Sequence, residues 1–394
     1  MRTETERNQA IAYLEGRITS ANAGEILHDL SRIITENPGR ELIIDAGNLE
    51  YISSAGLRVL LQISRKQGDT LTVRNVSPDV YNIFDMTGFA SILNIKKKLR
   101  EFSIDGCEIV GRGAVGTVYR VDEDTIVKVY ELPDSIAMIE NEQKRAKQAF
   151  LKGIPTAISY DVVKVGDQYG SVFEMLKAEN YNDALRDAPE KKDEFVRKYA
   201  YLIRQIHAVE MERGELPEAK NIFMEYLKNL RQILPDDLYS RLYNLLQAMP
   251  ENLHAIHGDI QMKNIMLNGD EPLLIDMETL SVGDPVFDLQ GLFVTYQIFN
   301  EDEPGNTLAF LGLSKELADF IWKKTLEYYF DNREETAIQK AKEKIQIVAY
   351  IRFLYLIYVL EIGKKDLKRI RIEHALERLK ALAGRVDSLE IGSV

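Results

Sequence analysis

A chain of 394 residues with 45% hydrophobic and 28% charged side chains is long enough for two or three cores and excludes collagen-like, low-complexity and disordered classes. Its formal net charge of -12 argues against nucleic acid as a partner, because duplex binding draws most of its affinity from neutralised phosphates. The lone Cys107 forms no internal disulfide, and the charged N-terminal stretch MRTETERNQA lacks the apolar run of a secretory signal, so the expectation is a cytoplasmic protein.

From residue 10 to about 103, short β-like runs alternate with amphipathic helices, which predicts an α/β unit. Residues 10–14 and 41–45 read as strands. Residues 23–35 set Ile26, Leu27, Leu30, Ile33 and Ile34 on one helical face and are closed by Asn37, Pro38 and Gly39. A second helix is expected over 57–66, a strand over 71–75, and a third helix from Ser77 as N-cap and Pro78 in the first turn to Phe84. No Gly/Ser-rich or Pro-rich spacer separates this unit from the region beyond residue 103. Residues 108–180 are mainly β with one helix over 135–152, and after residue 189 the signals are mainly helical. The run IQIVAYIRFLYLIYVLEIG, residues 345–363, is interrupted by Gln346 and Arg352 and reads as a buried helix rather than a membrane span.

The stretch GRGAVGTVY places Gly111, Gly113 and Gly116 where a tight turn can bring backbone N–H groups to phosphates, although glycines so spaced also make ordinary hairpins. On the next strand, residues 125–130, Lys128 sits between Val127 and Val129; its ammonium either meets phosphate oxygens or snorkels from a strand edge. A lysine used for phosphates needs a holding carboxylate, for which Glu142 is the first choice and Glu140 the second. In HGDIQMKNIML, Asp259 is suited to orient an acceptor hydroxyl and take its proton, and Asn264 to offer an amide oxygen to Mg²⁺. Asp276, after a strand-like run, supplies a hard carboxylate for the same metal or a second one. These groups converge only if a hairpin turning at Asn268, Gly269 and Asp270 joins the segments.

The ordered set HGDxxxxN, then LIDMETL, then GDPVFDL resembles the signature of aminoglycoside phosphotransferases and choline kinases, over roughly residues 108–390. The resemblance implies a bilobal α+β protein-kinase-like domain over 104–394, with an N-lobe to about residue 180 and a C-lobe from about 181. It makes Asp259 the catalytic base, Asn264 and Asp276 the Mg²⁺ ligands, and Lys128 the anchor of the α/β-phosphates. His257 and Asp288 become supports of the catalytic loop, and Phe173, Glu174, Met175 and Leu176 the hinge beside adenine. His207 reads as a packed helix residue.

In the front unit, ELIIDAGNLEYISSAGLRVLL, with LEGRIT before it and FDMTGF after it, resembles the STAS fold of anti-sigma factor antagonists over residues 1–103. That resemblance implies a regulatory phosphosite at Ser54, with Ser53 standing where the family commonly has aspartate; from the residues alone, Ser53 or Ser54 reads as a helix cap. The function expected of the whole is an ATP- and Mg²⁺-dependent kinase with an alcohol group of a small molecule as acceptor, fused to a protein-interaction domain, with no nucleic-acid or membrane partner. The alternative is a regulatory protein-serine kinase or a nucleotide-sensing scaffold. The acidic run 301–303 is expected either to attract a cationic acceptor or to be a solvated loop.

Overall fold

The computed structural model describes residues 1–392 apart from 7, 114, 115, 133, 134, 177, 270 and 332. The chain divides into two compact units, Met1–Ser103 with Val163–Asp167, and Ile104–Val162 with Gln168–Val394.

The first unit runs β1 (Arg2–Glu6), β2 (Gln9–Ile18), α1 (Ala23–Glu36), β3 (Glu41–Ile52), α2 (Ser54–Gln67), β4 (Thr72–Val76), α3 (Pro78–Met86), β5 (Asn94–Lys97) and β6 (Arg100–Glu101). The sheet order is β1-β2-β3-β4-β5; β1 is antiparallel to β2 and the other pairs are parallel. β2 and β3 turn Ala12, Leu14, Leu42, Ile44 and Leu49 into the core shared with the helices, and Ile11 on the opposite face is buried as well. α1 buries Leu30 and Ile33, and α2 buries Leu57, Leu60 and Ile63. α2 stops where Gly68 takes the left-handed conformation, and α3 starts on Ser77, whose side chain accepts from Val80 N–H with Pro78 in the first turn. β1 has no counterpart among the expected strands, because RTETE is polar and exposed on both faces and carries no period-2 signal.

The second unit continues with β7 (Glu108–Arg112), β8 (Gly116–Arg120), β9 (Thr125–Tyr130), α4 (Ile136–Leu151), β10 (Asp161–Val165, of which Val163–Val165 belong to the first unit), β11 (Gln168–Glu174), β12 (Glu179–Asn180), α5 (Tyr181–Asp187), α6 (Lys192–His207), α7 (Ala219–Asn229) and α8 (Asp236–Gln247). Beyond α8 come β13 (Ala255–Ile256), β14 (Ile265–Asn268), β15 (Glu271–Leu274), β16 (Ser281–Val282), α9 (Val286–Phe293), α10 (Phe299–Asp302), α11 (Asn306–Leu311), α12 (Lys315–Tyr329), α13 (Glu335–Tyr358) and α14 (Lys368–Ala383). Strands β7, β8, β9 and β11 form an antiparallel run in the order β11-β9-β8-β7, with Lys128 opposite both Val118 and Ser171. The helical part is built on α6, α7, α9, α12 and α13, whose shared core holds Tyr199, Ile203, Phe223, Leu289, Ile321, Ile347 and Leu354. Each such side chain, fully buried, contributes about 1.5–3 kcal/mol.

α13 holds residues 345–358 of the apolar run read as a buried helix; the remainder, 359–363, lies beyond it, with Leu360 and Ile362 exposed. The helix buries Ile345, Ile347, Val348, Ile351, Phe353 and Leu354 within that core, and among the described residues no helix is long and apolar enough to cross a membrane. Between α9 and α10 the helix widens into a π-helical turn, Val294–Ile298, which carries the buried Tyr296.

Candidate active site

The hairpin of β14 and β15 pairs Ile265 with Leu274 and Asn268 with Glu271; Asp270, expected in its turn, lies outside the described residues. Ile275 N–H donates to Asn264 O at 3.0 Å, so the ladder brings residue 276 beside residue 264, as convergence requires. Asp276 itself adopts φ 63° and ψ 61°, a left-handed backbone costly for a residue with a Cβ, and opens a short 3-10 turn, Met277–Thr279.

The Lys128 ammonium stands between two carboxylates, 3.5 Å from Glu142 Oε1 and 3.4 Å from Asp276 Oδ1. Burial opposes its charge, but the fields of Glu142 and Asp276 outweigh burial and raise its pKa above the ordinary lysine range, so the amine is held charged. Glu142, rather than Glu140, is the carboxylate that meets Lys128. Its other oxygen accepts a 2.7 Å hydrogen bond from Tyr130 Oη, a residue that the sequence pattern alone did not single out. Tyr130 lies two residues beyond Lys128 on β9, so both side chains project from the same strand face toward α4. Glu278 adds a further acid here: burial first, and then the charges of Asp276 and Glu142, push its carboxyl up, while its backbone carbonyl accepts from Arg145.

The segment His257–Asn264 is irregular backbone in a buried place, and its polar groups are met one by one. Asp288, fully buried at the start of α9, accepts from His257 N–H and Gly258 N–H, both at 2.9 Å, and lies 3.0 Å from His207 Nε2. Burial would raise the Asp288 carboxyl, but the hydrogen bond with His207 and that with the His257 backbone N–H hold it below the usual range. His207 is the packed helix residue expected, with Nδ1 2.8 Å from Tyr329 Oη. Thr279 Oγ1 donates to His257 O, Tyr199 Oη to Ile260 O, and Asn180 Nδ2 to Lys263 O. Met262 N–H donates to Tyr296 Oη at 3.2 Å, which gives the π-helical turn a local task. Asp259 N–H donates to His257 Nδ1, so the ring proton sits on Nε2 and faces Ile275 O. Gly258 has φ +85°, and a Cβ there would lie 2.5 Å from Thr279 O, so no other residue fits.

Asp259 is thereby held with its carboxylate partly open. Its Oδ2 accepts from Gln261 Nε2 at 2.9 Å and Asn264 Nδ2 at 3.0 Å; its Oδ1 meets Arg352 Nη2 at 3.1 Å. Asn264 Nδ2 also donates to Asp259 O at 2.9 Å. Both partners are acceptors, which fixes the amide orientation and leaves Asn264 Oδ1 for another ligand. Arg352, on α13, also donates to Gly258 O. In the sequence it reads only as a charge interrupting an apolar run. A lone charge on a buried helix demands a counter-charge, and that demand was the available signal.

The glycine loop is the hairpin of β7 and β8, closed by Gly113 N–H to Gly116 O at 2.9 Å. Gly116 is required by packing: a Cβ would lie 2.3 Å from Val129 O. Gly111 and Gly113 have ordinary room around them, and the loop tip, residues 114 and 115, lies outside the described residues. Of the residues expected at a hinge, Phe173 and Glu174 end β11, paired with Ile126 and Thr125, and Met175 N–H donates to Asp124 O; Leu176 lies just beyond the strand.

The acidic run is engaged internally. Glu301 accepts from Tyr350 Oη at 3.1 Å, Asp302 lies 2.5 Å from His374 Nδ1, and Glu303 pairs with Lys364 at 2.7 Å and with Arg371. Glu301 and Asp302 lie in α10 rather than in a loop, and Glu301 is exposed. Ser54, in the first turn of α2, is exposed, and the cap is made by Ser53, whose Oγ accepts from Gly56 N–H at 3.4 Å.

A model of the phosphotransferase enzyme family (APH) matches residues 106–314, and a model of the STAS domain matches residues 1–102. The front domain is 37% identical over 89 residues to the putative anti-sigma factor antagonist BtrV of Bordetella bronchiseptica, a match covering 22% of this chain and 75% of that protein. It is 24% identical over 95 residues to an anti-sigma F factor antagonist of Paenibacillus polymyxa, 23% of this chain and 81% of that protein. Among solved structures, the ADP-bound aminoglycoside phosphotransferase APH(2'')-Ib is similar with TM-score 0.49 and 18% identity, over 70% of this chain and 94% of that one. A choline/ethanolamine kinase family protein from Mesorhizobium loti is similar with TM-score 0.45 and 19% identity, over 70% of this chain and 87% of that one. With more than half its length matched by the family model, and with a STAS domain preceding that match, the chain belongs to the phosphotransferase enzyme family.

Proposed function

We propose that this phosphotransferase moves the γ-phosphoryl of ATP to a hydroxyl of a small molecule, in a kinase domain that begins near residue 104. The observation that carries the reading is the charged Lys128 held between Glu142 and Asp276 while Asn264 is bonded to Asp259. Lys128 is the anchor for the α/β-phosphates, with the Gly111, Gly113 and Gly116 hairpin above them and residues 173–176 beside adenine. The acceptor hydroxyl gives its proton to Asp259 as its oxygen bonds to the γ-phosphorus. The bond from that phosphorus to the bridging oxygen breaks, and its electron pair leaves with ADP. His257 and Asp288 keep the loop in register and touch no reactant.

The donor set suits Mg²⁺. Asn264 Oδ1 and the Asp276 carboxylate are hard oxygens, and Mg²⁺ is commonly held by few protein groups and several phosphate oxygens. When bound there, the ion supplies charge neutralisation across the phosphates. Cys107 as the lone thiol and the use of ATP both support a cytoplasmic setting.

Calorimetry with Mg-ATP tests the nucleotide reading directly. Lys128→Met should weaken binding by about 10- to 100-fold, the loss of charge-assisted bonds to phosphate; equal affinity in the two proteins would remove Lys128 from the site. ATP turnover across aminoglycosides, amino alcohols, nucleosides and protein serines then ranks the acceptors.

A second reading, of a chain that also acts on or through its STAS domain, is favoured by one observation: Ser54 is exposed and spared from the cap that Ser53 makes. A phosphate there would add about 1.5 to 2 negative charges at the start of α2. Mass spectrometry of the full chain after incubation with Mg-ATP should find phospho-Ser54; a wholly unmodified serine removes self-phosphorylation as a function.

A further inference from the structure

The helical part holds a cavity of about 370 Å³ between α6, the start of α5 and the β14–β15 hairpin, and Lys128, Asp259, Asn264 and Asp276 are not among its walls. That volume lies at the lower end of the roughly 300–1,000 Å³ usual for small-molecule sites. Its floor is apolar for identifiable reasons. Leu267 and Pro272 face each other across the hairpin, and Phe195 and Leu202 come from one stripe of α6. The Tyr181 ring meets Phe195 edge-on at 5.3 Å, and its hydroxyl already donates to Phe195 O at 2.7 Å, so it offers the cavity a ring and no free donor.

The rim is charged, and its balance is positive. Lys191, Glu194 and Lys198 line it from α6 and from the 3-10 turn before it, Pro189–Lys191, at spacings of three and four residues that set them on one side of the helix. Lys198 pairs with Glu194 at 2.8 Å, whereas Lys191 makes no ion pair among the described residues. Two ammonium groups therefore stand over an apolar floor with one carboxylate to share. An occupant with an apolar body and a carboxylate head answers both parts. A cation would meet a surplus of its own sign, and a neutral molecule would leave Lys191 without a counter-charge. The place is also connected: Tyr181 follows Asn180, whose Nδ2 holds Lys263 O, and Leu267 lies on β14, the strand into which the segment His257–Asn264 runs.

We propose that this cavity is a binding site for a small amphipathic organic acid, separate from the groups that handle phosphate. Lys191 and Lys198 hold the carboxylate, and Tyr181, Phe195, Leu267 and Pro272 hold the apolar body. No wall of the cavity takes part in phosphoryl transfer, so its occupancy is tested apart from the phosphotransferase reading. Calorimetry on the full chain with phenylpropionate, phenylpropanol and phenylpropylamine compares three head groups on one body. The acid should bind about 3- to 10-fold more tightly than the alcohol, the worth of one or two exposed charge pairs, and the amine more weakly than either. Lys191→Glu should erase the advantage of the acid over the alcohol. Gln205→Trp, on the cavity wall, should fill the space and weaken all three by about 10-fold or more. Both positions are exposed, so both variants should melt with the wild type. Equal binding of acid and alcohol would make the occupant a neutral apolar molecule, and preference for the amine would make it a cation; either result overturns the proposal. So does acid binding that Gln205→Trp leaves unchanged, which puts the probe elsewhere. Failure of the acid to bind at millimolar concentration overturns it as well, and binding of an acidic, leucine-rich peptide in its place would give the groove to a protein partner.

Discussion

Asp259→Asn is expected to lower phosphoryl transfer by about 10²- to 10⁴-fold while Mg-ATP affinity stays within about threefold. The asymmetry arises from what the side chain touches. Asp259 is bonded to Gln261, Asn264 and Arg352, and none of its bonds reaches Lys128 or Glu142. An amide at 259 keeps the shape and can still accept from Gln261 or Arg352, but it cannot take a proton from an alcohol. Steady-state turnover with the best acceptor, beside calorimetric ATP titration of both proteins, separates the two effects. Undiminished turnover would strip Asp259 of its role as base, and a parallel collapse of ATP affinity would mean that the loop had moved.

Asp288→Ala is expected to cost about 3–5 kcal/mol of stability, as removal of one partner from a buried charged network does. For a domain of this size that corresponds to a fall in Tm of roughly 6–20 °C. The carboxylate accepts from two consecutive backbone N–H groups and meets the His207 ring, and alanine would leave these donors buried and unmet. Acid acts on the same group. Its native pKa is depressed, so the unfolded chain binds this proton more readily; the stabilisation is present above the ordinary aspartate value of about 3.9 and is lost as pH falls through the native value. An Asp288→Asn protein should therefore start less stable near neutral pH and lose less on acidification below about pH 4. A Tm within about 1 °C of wild type for the alanine variant would refute the supporting role.

Much of the geometry was legible because Lys128, Asn264 and Asp276 each lie in or beside a short apolar strand, which fixes where each side chain emerges. β9 and α4 were recoverable from period alone, and with them the choice of Glu142, which faces inward where Glu140 is only half-buried. The groups that were not legible act across long chain separations. Arg352 lies 93 residues from Asp259, and the partners of Asp302 and Glu303 are 72 and 68 residues away, so no local pattern could pair them. Tyr130, Tyr199 and Tyr296 are buried core aromatics, and nothing local to them in the chain points to more. Only their hydroxyls, directed at Glu142, Ile260 and Met262, give them a second duty.

The backbone at residue 276 couples strain to use. A glycine there would relieve the left-handed backbone, at the cost of a looser unfolded chain and of the ion pair with Lys128. The carboxylate that stands there is tied to Lys128, so Asp276→Gly should gain no heat resistance in a melt while failing in the assay.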